Sequence, residues 1–376
     1  MIEHLPTGTW DHRAAVAEAA VLGRFVGRYR RVPGTLLART VAPADANGPV
    51  VVDDTHPLHY WWQAHLLDAI IDSAERRLCV QDRPGARRAA MLGHRLLATL
   101  WVRNGATLRN HYFDDMAWLV LAVERLAVLD ARVGLRMGKL ALRLTRRLLT
   151  DEVRRSHHSS GGVVWNKDRR FLNAATAGPV ALHLARTGHR EEAHSLLKWV
   201  FSRLFDAERG LVLDGVRITG ELVTDVYTYN QGTVLAALLE LGAPPDLQRA
   251  AQLVQSVDTH LTSASMPGRV LVTHGRGDGG LFTGILARYL ALAGLDGRLS
   301  PQTRDQAVRL VYDTASSVWH RLDTVRHLFG CDDASADPDP YPHDVELSTQ
   351  LQAWTIAEAA ARLAGERCGN GTCARE

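Results

Sequence analysis

Residues 111–126 read HYFDDMAWLVLAVERL, and this stretch predicts a buried helix that begins at two adjacent aspartates. After Asp115 the residues are apolar almost to the end, as in a helix that packs on most of its surface. One aspartate before an apolar helix is an ordinary N-cap. A single residue would satisfy that role, so the pair formed by Asp114 and Asp115 requires a further explanation.

Length and charge narrow the classes of protein to which the chain can belong. It has 376 residues, of which 46% are hydrophobic, and a formal net charge of +3. Barrels of this size commonly form one unit, and we expect a single domain over 1–376. A charge so near neutrality gives no electrostatic footprint for nucleic acid. No stretch approaches the ~20 consecutive apolar residues that span a bilayer, so we also expect no membrane span.

The N-terminal sequence MIEHLPTGTWDHRAAV lacks the basic start, apolar stretch and cleavage site of a signal peptide. The chain as given is therefore expected in the cytoplasm, or outside the cell if an export signal has been removed. The four cysteines are too few and too scattered for a disulfide framework. His157 and His158 lie in a loop without a third ligand, and we predict neither a metal nor another cofactor.

Helical periodicity dominates the chain, and strand-like alternation is nearly absent. Twelve helices are predicted, over residues 12–31, 57–78, 85–103, 114–129, 133–150, 171–187, 190–205, 229–241, 246–262, 279–294, 301–320 and 346–364. Short links follow the even-numbered helices and long loops follow the odd-numbered ones. Short links join antiparallel neighbours, so all the long loops gather at one end. This alternation predicts an all-α (α/α)6 barrel with six inner helices, six outer helices and a cleft at its mouth.

Each even-numbered helix begins with polar or aromatic residues that its apolar body does not require. Besides the aspartate pair, these starts are HYWW at 59–62, WNKDRRFLNAA at 165–175, TYNQG at 228–232, GDGGLF at 277–282 and ELSTQ at 346–350. If the even-numbered helices form the inner ring, six N-termini point into one cavity. A lining of Trp, Tyr, Asn, Gln and Asp is typical of a carbohydrate-binding cleft.

Two carboxyl groups in one cleft divide acid and base roles when their surroundings separate their pKa values. We expect the helix N-terminus to lower the pKa of one aspartate, while repulsion and burial raise the pKa of the other. One ionised and one protonated carboxyl is what a glycosidase needs. Neighbouring Cα atoms are ~3.8 Å apart, which suits the ~5–5.5 Å carboxyl separation of retaining enzymes. These residues alone support catalysis and helix capping about equally.

Four motifs follow one another along the chain. They are HYFDDMAWLVLAVERL, GGVVWN with RFLNAATAGPVALHLAR, GLVLDG with YTYNQGTVLAALLEL, and GRGDGGLFTGILARYL. Together they resemble glycoside hydrolase family 76, the endo-α-1,6-mannanases, and the related fungal cell-wall transglycosidases. The resemblance implies an (α/α)6 barrel and a retaining hydrolase that cleaves α-1,6-mannosidic linkages of α-mannan or mannooligosaccharides. It also implies that Asp114 is the nucleophile and Asp115 the acid/base.

The resemblance extends to a set of expected substrate-binding residues around the cleft. These are Trp61, Trp62, Tyr112, Trp165, Asn166, Asn173, Tyr229, Asn230, Gln231 and Asp278. Consecutive helical residues point ~100° apart, so only one of the first two tryptophans is expected to face the cavity. Asp278 is also expected to cap the tenth helix. The chain departs from the family pattern at Phe113, where Tyr is common, and at Thr283, where the pattern has lysine.

Two other functions stay open at this level. A transglycosylase on the same scaffold would differ only in how well its site excludes water from the glycosyl-enzyme. A carbohydrate-binding protein of the same fold would have lost catalysis. GRGDGG is not interpreted as a dinucleotide motif, because no strand precedes it and no βαβ unit surrounds it. The acidic stretch CDDASADPDPYPHD at 331–344 is expected on the mouth side, where it would affect which chain ends enter.

Overall fold

The structure, a computed structural model, describes residues 7–45, 48–136, 138–265, 268–330 and 344–369. Within these ranges the chain forms twelve helices: α1 (Thr7–Phe25), α2 (Tyr60–Cys79), α3 (Arg83–Arg103), α4 (Phe113–Val133), α5 (Lys139–Arg154), α6 (Ala174–Arg186), α7 (Arg190–Arg203), α8 (Thr228–Leu241), α9 (Pro244–His260), α10 (Gly279–Leu295), α11 (Pro301–His320) and α12 (Leu347–Gly369). The predicted all-α class and the number of helices are confirmed. The prediction of one domain over 1–376 extends beyond the described residues and stays a prediction.

The even-numbered helices form the inner ring, as predicted. Each packs against the next even-numbered helix, and α12 packs back against α2 to close the circle. Burial follows this arrangement, because all of α8 except Glu240 is buried, whereas α5 buries only Leu142, Leu149, Glu152 and Val153. A helix that is apolar on all sides belongs inside a ring of others, and an amphipathic helix belongs on the outside. None of the described helices is long and apolar enough to cross a membrane.

Short strands connect the loops at the mouth. They are β1 (Val26–Tyr29), β2 (Leu37–Ala38), β3 (Val41–Pro43), β4 (Val51–Val52), β5 (Phe171–Asn173), β6 (Phe205–Asp206), β7 (Leu211–Val212), β8 (Gly215–Arg217), β9 (Leu222–Val223), β10 (Thr262–Ala264), β11 (Arg269–Leu271), β12 (Leu322–Asp323), β13 (Leu328–Phe329) and β14 (Asp344–Glu346). All pairings are antiparallel except that of β1 with β4. The β3–β14 pair ties the first long loop to the start of α12. Except for Asp344, the acidic stretch 331–344 lies outside the described residues.

The first helix ends earlier than the sequence predicts. Periodicity extends it to residue 31, whereas α1 ends at Phe25 and the chain continues as β1. A Cβ on Gly27 would lie 1.9 Å from the carbonyl oxygen of Val50, so glycine is required where the two segments approach. Pairing of β1 with both β2 and β4 supplies the hydrogen bonds that a longer helix would have supplied. The helix prediction was wrong here because distant strands outweigh local periodicity.

A layer of four ionic side chains crosses the inside of the ring. Arg125 of α4 donates to Asp68 at 2.7 Å and to Asp72, both on α2. Arg288 of α10 lies 3.3 Å from Asp68 and donates to Asp72 at 2.7 Å. Burial acts to raise the pKa of Asp68, but the two guanidinium groups outweigh it and hold that pKa below its usual value. We call these four residues the axial ionic layer.

Candidate active site

The aspartate pair lies in the first turn of α4, at the mouth of the ring. The N-cap of this helix is Tyr112, whose backbone is extended and whose side chain makes no capping hydrogen bond. Asp114 and Asp115 are the second and third helical residues. Neither aspartate therefore occupies the N-cap position, and helix capping does not explain the pair.

Asp114 is held by a tryptophan from the next long loop. The indole Nε1 of Trp165 donates to Oδ2 of Asp114 at 2.9 Å. The other carboxyl oxygen, Oδ1, is buried and has no hydrogen-bond partner among the described residues. Burial raises the pKa of Asp114 to about 7. The Trp165 hydrogen bond and the backbone N–H groups of Asp114 and Asp115 oppose that rise, and the charge of Asp278 adds to it. Asp114 is therefore half-buried and close to its ionisation point at neutral pH.

Asp115 is held by an asparagine from the loop that precedes α4. Its Oδ2 accepts a hydrogen bond from Nδ2 of Asn110, in the loop before α4. Burial raises the pKa of Asp115 well above its usual value, and the charges of Asp114 and Asp278 raise it further. The expectation that the helix N-terminus would bring one pKa below the usual range was wrong, because desolvation outweighs the dipole at both residues. The assignment of Asp114 as the ionised partner of the pair stays a prediction.

A third carboxylate faces the pair from the start of α10. The indole Nε1 atoms of Trp61 and Trp62 both donate to Oδ1 of Asp278, each at 2.9 Å. The Asp278 side chain makes no capping hydrogen bond, so its predicted capping role was wrong. Its oxygen is instead directed to α2. Trp62 is buried and stacks on His59 at 4.2 Å, while Trp61 is only partly buried, in agreement with the prediction that one of them is open.

Aromatic rings form two walls of the cleft. On one side Tyr229 stacks on Phe282 with ring centroids 4.0 Å apart. On the other side Tyr112 lies against Trp165 at 5.0 Å. Flat rings of this kind present apolar faces to a sugar while their polar atoms remain available for hydrogen bonds.

Sequence reasoning missed Asp214, which follows β7 in the loop that leads to α8. It is half-buried and accepts a hydrogen bond from Nδ2 of Asn230 at 3.3 Å, and burial raises its pKa to about 6. The Oδ1 atom of Asn230 is buried and has no hydrogen-bond partner among the described residues. An aspartate that ends the apolar run GLVL was the available signal, but only the folded loop brings it to the cleft.

The side-chain oxygens of three expected substrate-binding residues accept hydrogen bonds from the backbone. Gln231 is buried, with Nε2 donating to the carbonyls of Val212 and Tyr227 and Oε1 accepting from the N–H of Val212. Asn173 caps α6 by accepting from the backbone N–H of Thr176 at 3.1 Å. In the Trp165 loop, Oδ1 of Asn166 accepts from a backbone N–H two residues later. These amides shape the loops that carry the cleft residues.

The cleft thus combines two neighbouring carboxyls of different pKa with flat aromatic faces at the mouth of an (α/α)6 barrel. In the described part of the chain, no group of three or more His, Cys, Asp or Glu side chains is arranged around a metal position. Acid–base catalysis at a sugar is the chemistry that this arrangement fits. The fold and the site together define the class as a glycosidase.

The family follows from comparison with known proteins. The sequence model of glycosyl hydrolase family 76 matches residues 42–366, so the chain belongs to that family and is a glycosidase. Among curated protein sequences, none matches this chain significantly.

Solved structures agree with the family and the fold. The GH76A α-1,6-mannanase of Salegentibacter sp. HEL1_6 has a TM-score of 0.77 and 29% identity, over 94% of this chain and 99% of that one. An inactive variant of that enzyme, with two consecutive aspartates replaced by asparagine, was solved with α-1,6-mannotriose; it has a TM-score of 0.76 and 27% identity, over 94% and 99% of the two chains. A family 76 mannosidase from Bacteroides thetaiotaomicron VPI-5482, with 17% identity and a TM-score of 0.71 over 96% and 100% of the chains, shows the shared fold.

Proposed function

We propose that this chain is a retaining hydrolase of α-1,6-mannosidic linkages, acting on α-mannan or mannooligosaccharides. The observation that carries the proposal is the carboxyl pair at the start of α4, where Trp165 donates to Asp114, Asn110 donates to Asp115 and burial raises both pKa values. Similarity to an α-1,6-mannanase supports the substrate class. That enzyme is inactive when two consecutive aspartates are replaced, and it binds α-1,6-mannotriose in that form.

In the first step, the carboxylate of Asp114 attacks the anomeric carbon of the mannose. Asp115 gives its proton to the glycosidic oxygen as the bond to that oxygen breaks, and the shortened saccharide leaves with a hydroxyl group. The product is a mannosyl ester of Asp114. The indole N–H of Trp165 stabilises Asp114 as an anion before attack, and the amide of Asn110 holds Asp115 toward the leaving oxygen.

In the second step, Asp115 acts as a base. Burial is the main cause of the raised pKa of Asp115, and the charge of Asp114 adds to it; esterification removes that charge and so lowers the pKa of Asp115. Asp115 now accepts a proton from a water molecule as the water oxygen attacks the anomeric carbon and the ester bond breaks. Asp114 leaves as a carboxylate, Asp115 is protonated again, and mannose is released with its original α configuration.

The surrounding residues divide into those that meet sugar and those that hold them in place. Sugar contacts are assigned to Trp61, Tyr112, Trp165, Tyr229 and Asp278, with Asp214 as a further residue. Asn230 is buried and holds Asp214 through its Nδ2 atom. Trp62, Asn166, Asn173 and Gln231 support these residues through the hydrogen bonds described above. Asp214 and Asp278 supply acceptors for mannose hydroxyls on two sides of the aspartate pair.

The proposal is tested with α-1,6-mannotetraose and the variants Asp114→Asn and Asp115→Asn. Each variant is expected to lose about 10²–10⁴-fold in kcat/KM, the usual contribution of a positioned acid or base. Asp151→Asn, the same change at an exposed site on α5, is the matched control and keeps wild-type activity. Full activity in either cleft variant removes that residue from the mechanism.

Product analysis separates the related functions. NMR of the first-formed product is expected to show the α anomer, and a β anomer would overturn retention. Longer oligosaccharides from mannotetraose would make the chain a transglycosylase. Binding of mannotetraose without cleavage by the wild type would make it a carbohydrate-binding protein.

A further inference from the structure

A second pocket opens beside the active-site mouth, on the side of α4 that faces α5. It has a volume of about 420 Å³ and is lined by Arg109, Phe113, Glu152, Arg155, Lys167 and Arg169. No step of the proposed hydrolysis uses these polar side chains. Four of the six lining residues are cationic and one is acidic, so the lining carries a formal charge of +3.

The single carboxylate in the lining is already committed. Glu152 is buried, accepts from Nε of Arg109 at 2.9 Å and lies 3.5 Å from Nη1 of Arg155. The Nη groups of Arg109 have no hydrogen-bond partner among the described residues. Arg109 and Arg155 are each more than half exposed, at 55% and 66% of their side chains. Glu152 therefore orients Arg109, draws Arg155 toward the pocket and leaves nitrogens of both arginines free to bind an anion.

The other two cations have no carboxylate partner in the described part of the chain. The guanidinium of Arg169 donates only to neutral acceptors, the carbonyl oxygens of Arg155 at 2.9 Å and His157 at 2.7 Å. Its backbone has φ of 57°, in the left-handed region, which fixes the turn that brings the side chain back over α5. Lys167 is exposed and forms no ion pair within the described ranges. Both positive charges are thus available to a ligand.

The pocket shares its wall with the cleft. Phe113 lines the pocket and directly precedes Asp114, and its N–H donates to the carbonyl oxygen of Trp165 at 2.8 Å. Lys167 donates its backbone N–H to the carbonyl oxygen of His111 at 3.1 Å. Arg109 adjoins Asn110, whose amide binds Asp115. The segments that carry these cations therefore adjoin the segments that carry the aspartate pair and Trp165.

We propose that this pocket binds a phosphate group carried by the saccharide in the neighbouring cleft, so that phosphorylated mannosyl saccharides are favoured over neutral ones. A phosphate monoester carries about −1.5 to −2 charges and three acceptor oxygens, which matches three uncompensated cations better than a singly charged carboxylate does. Guanidinium groups also bind phosphate through two parallel hydrogen bonds. The phosphate site is independent of cleavage, whereas its role in substrate choice rests on the proposed function.

The site is tested by calorimetry on the full chain with mannose 6-phosphate, mannose and glucuronic acid. Mannose 6-phosphate is expected to bind at least about tenfold more tightly than mannose, with a Kd that rises with salt. Lys167→Gln and Arg155→Gln are each expected to weaken its binding by roughly 3–10-fold, the loss of one partly exposed charged hydrogen bond. Arg143→Gln removes the same charge from an exposed site on α5 away from the pocket and is expected to leave the Kd unchanged.

Three results would overturn the phosphate site. They are equal binding of mannose and mannose 6-phosphate, equal binding of glucuronic acid and mannose 6-phosphate, and equal weakening by all three substitutions.

A kinetic comparison tests the role in substrate choice. The ratio of kcat/KM for α-1,6-mannotriose with a phosphate monoester on a terminal mannose to that for neutral mannotriose is expected to exceed one and to fall in Lys167→Gln and Arg155→Gln. In Arg143→Gln the ratio is expected to stay at the wild-type value. A ratio of one in the wild type contradicts the role in substrate choice. If wild-type protein cleaves neither saccharide, the proposed hydrolysis fails, and calorimetry still decides whether the pocket binds phosphate.

Discussion

Two groups of carboxyls on the inner helices have pKa values shifted in opposite directions. In the axial ionic layer, Asp68 is buried between Arg125 and Arg288, and its pKa lies below the usual value. At the mouth, Asp114 and Asp115 have no Arg or Lys partner among the described residues, and both pKa values are raised. Desolvation acts on both groups in the same direction. For Asp68 and the aspartate pair, the difference lies in the two guanidinium groups that contact Asp68 and have no counterpart beside Asp114 and Asp115 in the described part of the chain.

His65 lies between the two groups on α2, one turn below Trp61 and one turn above Asp68. It is buried, its ring lies 4.8 Å from that of Trp118, and its Nε2 has no hydrogen-bond partner among the described residues. Burial, with a smaller effect from Arg288, lowers its pKa to about 3. A neutral imidazole thus separates the cations of the layer from the aspartates of the mouth.

The largest effect is expected from breaking the axial layer. Arg125→Met leaves Asp68 and Asp72 with one guanidinium between them, and we expect a loss of about 3–5 kcal/mol in the free energy of unfolding, typical of a broken buried ion pair. Urea denaturation measures it. The matched control is Arg143→Met on the exposed face of α5, expected within about 0.5 kcal/mol of wild type. Equal stability of the two variants would show that the layer is not a structural ion-pair network.

Replacing a charged residue at the mouth is expected to raise the free energy of unfolding, whereas replacing one in the axial ionic layer lowers it. Folding raises the pKa of Asp114 to about 7 from ~3.9 in an unfolded chain, so the folded state binds the proton more tightly. Because the pKa of Asp115 is raised as well, the stabilising contribution of the aspartate pair to the unfolding free energy should fall as pH rises above about 4, and the share of Asp114 is lost by about pH 7. Asp114→Asn removes the destabilising ionisation of this buried carboxyl, and at pH 7 we expect the variant to be more stable than the wild type by roughly 1–3 kcal/mol.

Urea denaturation across this pH range provides the check, with Asp151→Asn on α5 as the matched control that retains the wild-type slope. The expectation would be contradicted if Asp114→Asn were less stable than the wild type at pH 7, or if its unfolding free energy depended on pH as steeply as that of the wild type. Either result would mean that favourable interactions offset the desolvation of the Asp114 carboxylate.

A smaller change sharpens the same comparison. Trp165 donates to the charged form of Asp114 and so lowers its pKa. In Trp165→Phe the pKa of Asp114 is expected to rise, so the acid limb of the kcat/KM profile should move upward by roughly 1 pH unit. A hydrogen bond to a charged group contributes about 1.5–3 kcal/mol, and the partial exposure of Asp114 reduces that contribution. Trp101→Phe, at an exposed tryptophan on α3, is the control. If the acid limb of the Trp165→Phe profile stays at the wild-type pH, Trp165 does not influence the ionisation of Asp114.

Much of the fold could be predicted from the sequence because its signals are local. Inner helices such as α8 are apolar throughout, outer helices such as α5 are amphipathic, and the alternation of short and long links orders them in a ring. The end of α1 was mispredicted because the close approach of Gly27 to Val50 is a tertiary contact with no periodic signature.

The candidate site was predicted less completely. The aspartate pair, the tryptophans and Asp278 are marked by their positions at helix starts. Whether an amide such as Gln231 faces a sugar or a backbone depends on the path of a loop about twenty residues earlier, which spacing does not encode. The raised pKa of Asp114 likewise depends on desolvation by neighbours from several helices, so the helix dipole alone gave the wrong direction.

The division of labour between the two aspartates is tested most directly by trapping the covalent intermediate. A fluorinated mannosyl fluoride that forms the glycosyl-enzyme quickly and releases it slowly is incubated with wild-type protein, and fragmentation mass spectrometry of the active-site peptide locates the label. The mannosyl ester is expected on Asp114, with Asp115 unmodified. An ester on Asp115, or turnover of the reagent with no ester on either residue, would contradict the assignment of Asp114 as the ionised partner of the pair.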